Sequence, residues 1–86
     1  MRPDALLDAV AERTGWSDYR IARELGVRQQ TVSAWRTGVA RSVDDGAALG
    51  LARILEVDPL RLVARQHATR AKDPTVRRFW LRVAAE

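Results

Sequence analysis

A small residue, a glycine four positions later and five apolar residues in fixed register constrain this chain more than any other feature. Ala22 precedes Gly26, and Ile21, Leu25, Val27, Val32 and Trp35 stand around them. Two helices that cross steeply through a short turn need a small side chain where they touch. They also need a residue free to take positive φ where the chain reverses. Ala22 meets the first demand and Gly26 the second. The five apolar residues occupy the offsets through which such a pair packs onto the rest of a domain. The pattern predicts a second helix capped by Ser17 and stopped by Gly26, then a third from about Arg28 to Arg36, ended by Gly38.

The remaining punctuation gives six helices and no strand. The first begins near Asp4 and ends before Gly15, with Leu6, Leu7, Val10 and Ala11 on one face. Trp16, just before the Ser17 cap, is placed to staple onto Ile21. Ser42 with Asp45 resembles a capping box opening a fourth helix, whose core positions are Ala48, Leu51, Ala52 and Leu55. Gly46 and Gly50 are costly inside it, which points to close packing against another helix. Asp58-Pro59 and Asp73-Pro74 repeat one signal, a capping carboxylate followed by proline at the first helical position. They open a fifth helix (Leu60, Val63, Ala64, His67, Ala68, Ala71) and a sixth (Val76, Phe79, Trp80, Val83). The expected fold is all-α, a compact bundle of five to six helices. Residues 1–86 make one domain, with C-terminal helices over about 59–86.

Composition closes off other classes. With no cysteine there is no disulfide framework, thiolate zinc site or cysteine nucleophile, and the one histidine, His67, cannot build a metal site alone. No cofactor or metal is expected, and no acid/base or nucleophile arrangement suggests an enzyme. Asp4, Asp8 and Glu12 interrupt the stretch a signal peptide would need, and no window approaches a membrane span. A soluble, cytoplasmic protein is expected. The net charge of +4 is unevenly spread, with basic zones over 16–42 and 61–86 separated by the acidic segment 43–60. Clustered arginine is the footprint of phosphate binding.

At about 100° per residue, Val32 and Trp35 turn one side of the third helix toward the core. Gln29, Gln30, Ser33, Ala34 and Thr37 spread over the opposite side. That face is uncharged, small and rich in hydrogen-bonding groups, as the edges of bases in the major groove require. Arg28 and Arg36 lie at its margins and Arg41 just beyond it, where phosphates would run.

Over Trp16–Gly38, and again over Leu51-Ala52-Arg53-Ile54-Leu55-Glu56-Val57-Asp58, the chain resembles the lambda-repressor/Cro-like helix-turn-helix family. The tail from Asp73-Pro74 to Phe79-Trp80 is similar to short regulators of filamentous phages. The resemblance implies about five packed helices, binding to double-stranded DNA, and a homodimer on a palindromic operator. It puts Gln29 and Gln30 where phage repressors place base-reading glutamines. Three positions depart from the family pattern. Asp18 replaces a glutamine that braces a phosphate, Arg28 replaces the Ser or Thr cap of the third helix, and Ala34 replaces a longer base-reading side chain.

The leading expectation is therefore a phage- or prophage-type repressor. Gln29 and Gln30 read bases while Ser33, Ala34 and Thr37 shape the fit; Arg28, Arg36 and Arg41, with backbone amides at the start of the second helix, hold phosphates. The rival is a protein-interaction module, such as an antitoxin or adaptor, that grips a partner through the C-terminal helices. Phe79 and Trp80 are the candidate dimer or partner contacts, since they exceed what a small core needs. His67 reads as a boundary residue, and Arg61, Arg65, Arg70, Arg77, Arg78 and Arg82 as a solvated helix surface.

Overall fold

A computed structural model describes all residues, Met1–Glu86, and contains six helices and no strand. None of the helices is long and apolar enough to cross a membrane. The chain forms two compact units, Met1–Val43 and Asp44–Glu86.

The first unit holds α1 (Pro3–Thr14), α2 (Asp18–Leu25) and α3 (Gln29–Thr37), each in contact with the other two. Its turns follow the sequence signals. Ser17 Oγ accepts the Arg20 amide at the start of α2. Gly26 closes α2 in the left-handed region, at φ 70°, and the Val27 amide donates to the Ala22 carbonyl at 3.0 Å. Between α1 and α2, the Thr14 hydroxyl donates to the Val10 carbonyl and accepts from the Trp16 amide, at 2.7 and 3.0 Å. Of the residues the periodicity singled out, Leu6, Leu7 and Val10 from α1, Ile21 and Ala22 from α2, and Val32 and Trp35 from α3 are buried, while Ala11, Leu25 and Val27 are half-buried. Trp16 is half-buried, and the Arg20 guanidinium lies 5.0 Å from its ring centroid.

The second unit holds α4 (Asp45–Leu55), α5 (Pro59–Arg70) and α6 (Pro74–Ala85), with α5 packed against both others. The Asp-Pro starts form as expected: Asp58 and Asp73 accept the amides of Leu60 and Thr75 at 2.9 and 2.8 Å. Arg61, in the first turn of α5, donates to the Glu86 carbonyl just past α6, so the two helices run antiparallel.

Three expectations need correction here. The cap of α4 is Asp44, which accepts the Ala47 amide at 2.7 Å, and not Ser42. Its carboxylate stands three residues before the first buried alanine, so it reaches the open amide that Ser42 is too far back to meet. Gly46 is exposed, and an added Cβ would meet only Asp44 Oδ1 at 3.5 Å, so close helix packing does not explain it. Finally, α5 buries Leu62, Ala64, Gln66 and Ala68, while Leu60 is exposed. A helix covered on two sides buries two strips: Leu62 with Gln66, and Ala64 with Ala68 roughly half a turn away. The single-stripe pattern read from the sequence does not hold for such an element.

Candidate nucleic-acid interface

The elements of the first unit present α3 with one side sealed and the other open. Val32 and Trp35 are buried; Gln29, Gln30, Ser33 and Thr37 are exposed and Ala34 is half-buried. The five expected base-reading positions therefore share one side of the helix, four of them exposed. Thr37 is partly committed, because its hydroxyl donates to the Ser33 carbonyl at 3.0 Å. It keeps acceptor capacity and a methyl group to offer a partner. Arg28 is the N-cap residue of α3 and makes no side-chain cap. The first amides of the helix are therefore left for an acceptor from outside, at the end where the helix dipole favours anions.

The three arginines expected at phosphates have different fates. Arg28 and Arg41 are exposed and free of ion pairs within the chain. Arg36 is not. Its Nε and Nη2 donate to the two carboxylate oxygens of Asp18, at 3.1 and 2.9 Å, and its Nη1 donates to Asp8. These hydrogen bonds, the Asp18 pair foremost, raise its pKa further above the ordinary arginine value. The physical reason lies in helix geometry. Arg36 sits on the flank of α3 between the buried and exposed sides, and that flank faces the start of α2.

Asp18 thus has a role that its departure from the family pattern concealed. Instead of lying bare near a phosphate, it is neutralised by Arg36. Two further exposed residues were absent from the sequence expectation: Tyr19 in the first turn of α2, and Val39 in the loop after α3. Arg23, on the same flank of α2 as Tyr19, is exposed and forms no ion pair. The signal for this pair was the spacing of Tyr19 and Arg23 at i, i+4 on a helix whose other sides are occupied.

In the second unit, His67 Nε2 lies 3.0 Å from Asp45 Oδ1, and Arg70 reaches the same oxygen at 3.4 Å. The His67 ring stacks on Trp80 with centroids 4.5 Å apart, and Phe79 meets Trp80 edge-on at 5.2 Å. Phe79 itself is 56% exposed, with Val76 and Leu81 also exposed on α6. Trp80 is half-buried.

The chain matches none of the curated proteins and none of the solved structures with which it was compared. A helix-turn-helix family model matches residues 8–62, well over half of the chain, and spans α2, the Gly26 turn and α3. Members of that family are DNA-binding regulators rather than enzymes. With the Ala22–Gly26 turn formed, α3 sealed on one side and its polar face open, the chain belongs to the lambda-repressor-like helix-turn-helix family of DNA-binding transcription regulators.

Proposed function

We propose that this protein is a repressor of phage or prophage type that binds a palindromic operator through the major groove and silences a promoter by occupying it. The observation that carries the reading is the exposed, uncharged face of α3 beside two unpaired arginines. Gln29 and Gln30 offer amides suited to bidentate pairing with adenine. Ser33, Ala34 and Thr37 set the clearance to the groove floor. Arg28 and Arg41 take phosphates, with the first amides of α3 beside Arg28. The protein works in the cytoplasm, where its DNA lies, and needs no cofactor.

A single reading helix touches too few base pairs to define a genomic site, so the proposal includes a homodimer. Half-sites then lie about one helical turn, ~34 Å, apart. The exposed Phe79, Val76 and Leu81 on α6 favour that helix as the dimer contact. The same surface supports a second reading, in which the C-terminal helices hold a different protein, as an antitoxin or adaptor does.

Selection of bound duplexes from a random pool, followed by footprinting, tests the main reading. A two-fold symmetric sequence protected at low nanomolar protein and lost at high salt is the expected result. Equal affinity for selected and random duplexes would remove it.

A further inference from the structure

We propose that Arg36 is a positioning residue of the reading helix, holding α3 in register with α2 and α1 through a clasp on Asp18 and Asp8, and that it takes no phosphate. This rests on the assignment of α3 as the base-reading element. Every nitrogen of the guanidinium has a carboxylate partner. Two of them form a parallel fork on Asp18, the first residue of α2; the third reaches Asp8 in the middle of α1. A fork meeting a carboxylate face to face fixes orientation as well as distance, which a point charge on a flexible stem does not. One side chain thereby ties together all three helices of the first unit.

The position of Arg36 on α3 makes this matter for reading. Arg36, Ser33 and Gln29 are spaced i, i−3 and i−7, so they occupy one strip of the helix surface. Any rotation of α3 that opens the fork swings Gln29 and Ser33 by the same angle. The clasp also removes the repulsion a bare Asp18 would exert on a phosphate near the start of α2. Arg36 joined to two carboxylates has no positive charge to spare for DNA. Three of the five guanidinium N–H donors are engaged, and two carboxylates outweigh the single positive charge, so the group offers a phosphate no net attraction.

Two variants separate positioning from phosphate binding. Arg36→Lys keeps the charge and loses the fork. Asp18→Ala frees Arg36 and removes the acid. The probes are the duplex that the wild-type protein enriches from a random pool and a scrambled duplex of equal length. Each is titrated at several salt concentrations, with helix content followed by circular dichroism. We expect both variants to lower the ratio of selected to scrambled affinity about tenfold or more, and Arg36→Lys to leave the salt slope unchanged. Asp8→Asn should show a smaller loss in the same direction, and it carries the test with Asp18→Ala should Arg36→Lys not fold.

An Arg36→Lys protein with wild-type ratio and slope overturns the clasp. So does an Asp18→Ala protein that binds both duplexes more tightly with its ratio intact, the behaviour of a phosphate ligand set free. A wild type that does not discriminate at all overturns the assignment of α3 itself, a result distinguishable from either.

Discussion

Two glycines show how the same residue type serves different ends in this chain. Gly26 has φ 70° and open space where a Cβ would go, so its role is conformational. An alanine there is forced into the left-handed region, and Gly26→Ala should destabilise the protein by about 1–2 kcal/mol. Gly46 has helical backbone and nothing but Asp44 nearby. Gly46→Ala should therefore stabilise, by up to about 1 kcal/mol, as the unfolded chain loses freedom. Urea unfolding of the two variants measures both, and shifts of the same sign would refute the distinction. On the polar face of α3 that we propose reads bases, Gln29→Ala and Gln30→Ala should each weaken binding to the selected duplex by roughly 1–3 kcal/mol and relax preference at one base position. Arg41→Ala should instead weaken all duplexes alike. A competition assay over single-base operator variants distinguishes the two patterns.

At the scale of elements, the helices of the first unit were legible because each carries one buried stripe and a cap or stop written in single residues. Ser17, Gly26 and Gly38 act through their own backbone or side chain, so no knowledge of distant partners is needed. The second unit was harder to read. The two buried sides of α5 include Leu62 and Gln66, which no single-stripe pattern selects, and Leu60 is left exposed. The exposed polar face of α3 was legible for the same reason as its core: both follow from one helical period. The fate of Arg36 was not, because an arginine at the edge of a polar face suits a phosphate and a carboxylate equally well in sequence. Only the approach of α1 and α2 decides. Conversely, α6 was read as either core or interface, and the exposure of Phe79 favours the interface. Phe79→Ser, which spares the Trp80–His67 stack, should leave the helix content intact and shift sedimentation from dimer to monomer. A folded Phe79→Ser protein that still dimerises normally places the interface elsewhere.

For the whole molecule, charge and cooperativity are the measurable properties. A net charge of +4 is modest, so salt dependence should come from particular phosphate contacts. With Arg28 and Arg41 alone engaged in each half of a dimer, log affinity should fall against log salt with a slope of roughly −3 to −4. A slope about two steeper would mean that Arg36 has left its carboxylates in both halves. We propose that the 86 residues unfold as one cooperative domain. The placement of the tryptophans makes that claim observable by light alone. Trp35 is sealed in the first unit and Trp80 lies against His67 in the second, so each unit carries its own chromophore in a distinct surrounding. Variants keeping only one of the two, with Trp16 replaced by phenylalanine in both, turn the chain into a pair of matched optical reporters. Within each variant, emission and circular-dichroism transitions in urea are expected to coincide, and an emission midpoint separated from the loss of helix would instead assign each unit a stability of its own.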